Sequence, residues 1–333
     1  MLFNIDSPFI YGNKNSLDKE SIYTSHPFTN WSLNPKFEFN NNLEHTEEGF
    51  RKVLNFNSLG DQLNQFSGSN KIYCMGGSST YCAFLYGYEK TWPSKLQDKL
   101  DINKSIVING GVGGWGTIQS LTRFIGWASI IQPKIVILYQ SKNDLTPFYN
   151  GRSNQKKIFP LLENIILQFT KAKIDCKNNS RRQLLKDGRY INFIKTFLKK
   201  GYPDYVEDVS LVYSSEIHPH EIGFKRYDEN ALNSTIFRYE TVFNIVNNWN
   251  GKVLFIPEII TQQSVYFKYM QHIHSNAKKL SEKYKNFYFF DLNNIITVNE
   301  KNFYNSKMHF TEEGCSIFSE MIFNTLNKID NNI

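Results

Sequence analysis

Apolar residues along this chain gather in short runs closed by glycine or polar turn residues, with longer amphipathic stretches between them. The first run, KIYCMGG at 71–77, predicts a buried strand followed by a tight turn. SIVINGG (105–111), KIVILYQS (134–141), KVLFIPEII (252–260) and NFYFFDL (286–292) predict four more strands. The third of the five is so rich in β-branched residues that it belongs at the centre of a sheet, buried on both faces. Between the strands, KTWPSKLQDKL (90–100), TIQSLTRFIGWASII (117–131), Glu229–Asn248 and Tyr266–Tyr284 read as helices, and Thr311–Asn327 as a final one. Pro93 fits only the first turn of its helix. Two further helices are expected at FPLLENIILQFTKAK (159–173) and GRYINFIKTFLKK (188–200).

Strands alternating with helices predict an α/β, three-layer α/β/α sandwich around a five-stranded parallel sheet. Right-handed crossovers then bring the carboxyl ends of the strands to one rim, where an active site belongs. Residues 1–70 lack sustained periodicity and are expected to form an irregular extension packing on a core domain at 71–333.

Composition changes this picture little. The chain is long enough at 333 residues to bury a core, and 41% hydrophobic with 21% charged residues is ordinary for a globular protein. The absence of a long apolar run argues against a membrane span. The start, MLFNIDSPFI, lacks the pattern of a signal peptide, so a cytoplasmic location is expected. Cys74, Cys82, Cys176 and Cys315 have no CxxC spacing and read as buried free thiols.

Charge does alter the picture locally. Between Gly151 and Tyr202 thirteen Lys/Arg face three acids (Glu163, Asp175 and Asp187), about +10 within a total of +7. A basic helical insert at about 151–225 thus follows the third strand and opens on the catalytic rim. One reading makes it a lid that meets an anionic substrate; the other makes it a helical pair with solvated lysine faces. No nucleic-acid-binding motif accompanies it.

Four groups fall in order along the predicted rim: Gly76-Gly77-Ser78-Ser79-Thr80, then Asn109-Gly110-Gly111-Val112-Gly113-Gly114-Trp115, then Ser141-Lys142-Asn143-Asp144, and finally Met308-His309-Phe310-Thr311-Glu312-Glu313-Gly314. A serine at a strand-to-helix turn exposes its hydroxyl, and its N–H sits where negative charge is stabilised. A glycine loop lets a backbone N–H approach an oxyanion. An asparagine amide donates another hydrogen bond, and a histidine at the last helix supplies a general base.

In order and spacing over roughly residues 70–330, this set resembles the SGNH (GDSL-like) hydrolases. The resemblance implies a flavodoxin-like sheet of the SGNH hydrolase fold, Ser78 as nucleophile, His309 as base, and Gly114 and Asn143 as oxyanion donors. HPFTNWSLNPKF (26–37) and HTEEGFR (45–51) also resemble a leader of some bacterial members. Two positions depart from the pattern. Ser141 replaces the usual glycine of the third block, and Ser306 stands where the family places its triad aspartate. A triad acid orients the imidazole, so its loss bears on rate. Ser306 itself or Asp291, at the end of the fifth strand, are the candidates for orienting His309. A Ser–His dyad, an acid supplied from elsewhere, and lost activity all remain open, with the dyad preferred.

The implied function is a serine esterase that removes a short acyl group such as acetyl from a small-molecule or glycan ester. The alternatives are an O-acyltransferase of glycan biosynthesis using the same parts, and an inactive binding relic. Gly111-Val112-Gly113-Gly114-Trp115-Gly116 literally fits GxGxxG, but the following strand end, Tyr139-Gln140-Ser141, lacks the acid that would hold a ribose. GGSST lacks the closing glycine of an α/β-hydrolase elbow. His218-Pro219-His220-Glu221 and His272-Ile273-His274 lack HExxH spacing and read as solvated, so neither a metal nor a cofactor is expected.

Overall fold

Strand Ile135–Tyr139 carries five consecutive buried side chains and lies at the middle of the sheet, as its composition predicts. The computed structural model describes residues 22–26, 29–149, 229–259, 267–292, 296, 299, 301–304, 308–330 and 333. The two helices expected at 159–173 and 188–200, the basic insert, Cys176, the His218–Glu221 group and Ser306 lie outside the described residues. In chain order the described elements begin with β1 (Tyr23–His26), β2 (Asn30–Leu33), β3 (Glu38–Phe39), β4 (Asn42–Leu43), α1 (Leu59–Gln65), β5 (Asn70–Gly76) and α2 (Ser78–Tyr81). A 3-10 turn at Tyr88–Lys90 precedes α3 (Trp92–Gln97), β6 (Ser105–Asn109), α4 (Thr117–Ile131), β7 (Ile135–Tyr139) and α5 (Lys142–Tyr149). Then come α6 (Glu229–Asn247), β8 (Lys252–Phe255), α7 (Phe267–Lys283), β9 (Phe287–Phe289) and α8 (Glu312–Ile329).

The five-stranded sheet runs β6-β5-β7-β8-β9, every neighbour parallel. Alternation along each strand divides the core in two. Ile72, Cys74, Ile135 and Ile137 point to one face, against Trp92 and Leu96 of α3 and Phe318 and Ile322 of α8. Tyr73, Met75, Val136 and Leu138 point to the other, against Phe124 of α4, Tyr239 of α6 and Met270 of α7. The chain reverses strand order between β5, β6 and β7, and that reversal opens a crevice at their carboxyl ends.

The lead-in is more regular than the sequence suggests. β1 pairs with β2, and β3 with β4, as antiparallel hairpins. Asn40 and Asn41 take φ of 49° and 62°, the left-handed pair that a two-residue hairpin turn requires. Strands of two to four residues carry too little alternation to be read beforehand. Helix α1 is a further regular element in this lead-in. Its start is held by Ser58, which accepts from Asp61 N–H, and by the Glu48 carboxylate, which accepts from Leu59 and Gly60 N–H at 2.8 and 3.2 Å. Phe50 and Leu59 share the core with Tyr73 and Phe124.

Candidate active site

The first motif forms because its glycines have no room for a side chain. A Cβ on Gly76 would lie 2.0 Å from Thr80 Oγ1 and 2.3 Å from the Tyr139 carbonyl oxygen. One on Gly77 would meet Asn143 Nδ2 at 2.5 Å. Strand β5 can therefore end flush against β7, and Ser78 begins α2 beside the asparagine amide. Across the crevice, His309 Nε2 lies 2.8 Å from Ser78 Oγ. His309 stands just before α8, whose first turn is capped by Thr311 accepting from Gly314 N–H at 3.1 Å. Its carbonyl accepts from Tyr304 N–H at 2.9 Å, and the Phe84 ring packs edge-on against its imidazole with centroids 4.9 Å apart. Residues 231 positions apart in the chain thus share one hydrogen bond.

Burial, with the Lys142 ammonium second, lowers the His309 pKa to about 4. The ring is therefore neutral at pH 7, able to accept the serine proton, although a low pKa also makes it a weaker base. Asp291 is exposed, and its charge favours protonation of His274.

The glycine loop is fixed from outside the sheet. Gly114 has φ of 77°, a conformation that favours glycine, and the space beside it is filled by the Trp31 ring. Trp31 Nε1–H donates to the Gly113 carbonyl at 3.0 Å, and Trp115 Nε1–H donates to the Trp31 carbonyl at 3.1 Å. Gly111 abuts the backbone of α2 and Gly113 abuts the Tyr23 hydroxyl, so neighbouring protein groups crowd two glycines of the GxGxxG match.

Asn143 lies in the first turn of α5. Its Nδ2 donates to the Trp115 carbonyl at 2.8 Å. This bond fixes the orientation of the amide group. Asp144, fully buried, accepts from Thr117 N–H at 2.8 Å and from the Thr117 hydroxyl, tying α5 to the start of α4.

Several residues around the site had not been singled out from the sequence. Glu258, just past β8, is buried and accepts from the N–H groups of Ser141 and Lys142 at 2.7 and 2.6 Å. It thereby caps α5 with a carboxylate, a favourable place for negative charge. Burial raises its pKa against the opposing effect of those bonds. The Ser141 hydroxyl also donates to Glu258 at 3.2 Å and lies 3.0 Å from His274 Nε2. The expectation that His274 is solvated is wrong: it is 3% exposed, and burial lowers its pKa to about 4. Its place on the inward face of α7 was the available signal. Two buried polar groups thus converge on the Ser141 side chain.

The lead-in also grips α2. Arg51, buried, donates to the Tyr81 and Leu85 carbonyls at 3.0 and 2.6 Å and pairs with Glu44 at 3.2 Å. His45 donates through Nδ1 to the Asn34 carbonyl at 2.7 Å and accepts through Nε2 from the Tyr81 hydroxyl at 3.0 Å. Cys74, Cys82 and Cys315 are buried free thiols. Among the described residues no three His, Cys, Asp or Glu side chains are grouped to hold a metal ion, and no helix is long and apolar enough to cross a membrane.

No protein-family model and no curated protein matches the chain. Among solved structures it is similar to the psychrotrophic esterase EstA from Pseudoalteromonas sp., with 12% identity and TM-score 0.46 over 78% of this chain and 98% of that one. It is similar to TesA at 10% identity and TM-score 0.47, over 78% of this chain and 100% of that one. A third is a catalytic mutant of Axe2, an acetylxylan esterase from Geobacillus stearothermophilus, at 12% identity and TM-score 0.46 over 77% and 93%. At such identities the site must be read from this chain's own atoms.

Proposed function

We propose that this chain is a serine esterase of the SGNH (GDSL-like) type, with Ser78 as nucleophile and His309 as general base. The observation that carries the reading is the 2.8 Å contact between Ser78 Oγ and a neutral His309 Nε2 at the sheet's switch point. The neighbouring donors support it. In the first half-reaction His309 takes the Ser78 proton as Oγ bonds to the ester carbonyl carbon. The oxyanion is met by the N–H groups of Ser78 and Gly114 and by Asn143 Nδ2–H. The ester C–O bond then breaks and His309 returns the proton to the departing alkoxide. Water, deprotonated by His309, then attacks the acyl carbon; the bond from Ser78 Oγ breaks, His309 returns the proton to Oγ, and the acid leaves.

The same reading treats residues 71–333 as the catalytic domain, 1–70 as an extension on it, and 151–225 as an insert opening on its rim. A short acyl group on a small-molecule or glycan alcohol is the proposed substrate. The test is hydrolysis of p-nitrophenyl acetate together with fluorophosphonate labelling. Wild type should turn over and label, and Ser78→Ala should do neither. A folded wild-type protein that neither labels nor hydrolyses any short-chain ester sinks the proposal.

A further inference from the structure

The segment after α2 follows an unusual backbone. Cys82 and Phe84 have φ of 59° and 76°, left-handed values that cost a non-glycine residue energy unless its surroundings enforce them. Here they are enforced. Arg51 holds the Leu85 carbonyl at 2.6 Å, and Glu44 Oε1 accepts from Gly87 N–H at 3.1 Å. The result displays two large aromatic rings to solvent, Phe84 at 62% and Tyr86 at 45% exposure. Phe84 lies against His309 on one side. Tyr86, two residues on and so within about 7 Å of it along the backbone, stacks on Phe39 with centroids 4.5 Å apart.

Tyr86 and Phe39 open onto a cleft of about 350 Å³ between the β3–β4 hairpin and the 3-10 turn, which is the size of a small-ligand site. Three amides, Asn40, Asn42 and Asn55, line it beside Tyr86 and Tyr88. Its charged lining is balanced, with Glu44 and Glu89 against Lys52 and Lys90. Both Glu44 oxygens are engaged, one by Gly87 and one by Arg51. Such a surface offers an aromatic plane and neutral donor–acceptor groups, with no excess charge to select an ion. A sugar ring matches it, having a face of C–H groups edged by hydroxyls.

We propose that this cleft is the subsite for the alcohol portion of the ester, and that it binds a neutral oligosaccharide on the Tyr86 ring. The inference rests on the esterase reading for its link to Ser78, and the binding part stands apart from it. Phe84 packs against His309 two residues before Tyr86, and on this proposal a sugar seated at Tyr86 presents a neighbouring residue's ester to the serine.

The test has two arms. Ser78→Ala protein is titrated with cellohexaose, xylohexaose and chitohexaose, followed by intrinsic fluorescence and calorimetry. One of the three should bind, and Tyr86→Ala in that background should weaken it by about tenfold or more. Separately, kcat/KM is measured for the acetylated form of that oligosaccharide and for p-nitrophenyl acetate. Tyr86→Ala should lower the ratio of the two by about tenfold, and Tyr86→Phe, which keeps the ring, should restore most of it. Ester hydrolysis with no binding of any hexaose, or a ratio unmoved by Tyr86→Ala, overturns the subsite and leaves the esterase. Binding by a wild-type protein that hydrolyses no ester overturns the esterase and leaves a saccharide site.

Discussion

Replacing Lys142 by glutamine should move the acid limb of the pH–activity profile upward while leaving it below the ordinary histidine range. In the wild-type site two causes bring His309 from 6.5 to about 4, burial first and the lysine ammonium second. The lysine therefore accounts for less than half of that displacement, and its removal should raise the limb by no more than about one pH unit. The sign follows from the base's role. His309 must be neutral to accept the Ser78 proton, so activity is present above its pKa and is lost as pH falls through it. Wild type should thus keep kcat/KM down towards pH 4, and the variant should lose it at a higher pH. The assay is kcat/KM for p-nitrophenyl acetate between pH 3.5 and 8, in steps of about half a unit. The rate of fluorophosphonate inactivation gives a second readout that needs no deacylation. Circular dichroism at each pH separates titration from unfolding. A wild-type limb near the unperturbed histidine value, or a limb unmoved by the substitution, would refute the reasoning. The backbone N–H of residue 142 still reaches Glu258 in the variant, so the α5 cap is retained.

Three other outcomes are expected. Trp31→Phe removes the Nε1–H bond to the Gly113 carbonyl, worth about 1 kcal/mol, and should lower kcat roughly fivefold with KM nearly unchanged; equal kcat would show that the loop holds its shape without it. Glu258→Ala leaves the Ser141 and Lys142 N–H groups without their carboxylate and should cost about 2–4 kcal/mol in urea unfolding, accompanied by loss of activity; a change below about 0.5 kcal/mol would mean that water replaces the cap. Acid should destabilise the fold through buried His45 and His274, whose pKa values are lowered to about 3 and about 4. Below 6.5 the unfolded chain takes up protons that these rings refuse, so their stabilising contribution is intact above that pH and declines as pH falls. For His274 the loss at pH 5 is about 2 kcal/mol, while Glu258 and Glu44, with raised pKa values, act in the opposite direction. His274→Gln should shrink the drop in unfolding free energy between pH 7 and pH 5 by about that amount, and an equal drop in both proteins would discount the histidine.

Much of the frame could be read from the chain alone, because buried strands and amphipathic helices write their period into consecutive residues. All five sheet strands and their parallel arrangement follow from such runs, and so does the central place of Ile135–Tyr139. Strand ends were less legible: KVLFIPEII predicts nine residues where β8 has Lys252–Phe255, since apolar residues past a strand end can still be buried. Ser78, Asn143 and His309 could be nominated because each sits at a strand or helix end with chemistry suited to that place, and Gly114 through the resemblance of its block to the SGNH hydrolases. The hydrogen bond between Ser78 and His309 could not, for a contact across 231 residues has no local trace. Tertiary structure alone decided what surrounds them. It placed Trp31 beside Gly114, set Glu258 as the cap of α5, and buried His274 against Ser141. It also directed the charge of Asp291 to His274. Periodicity reports which face of an element is buried; which polar group meets which across the core depends on how the layers pack.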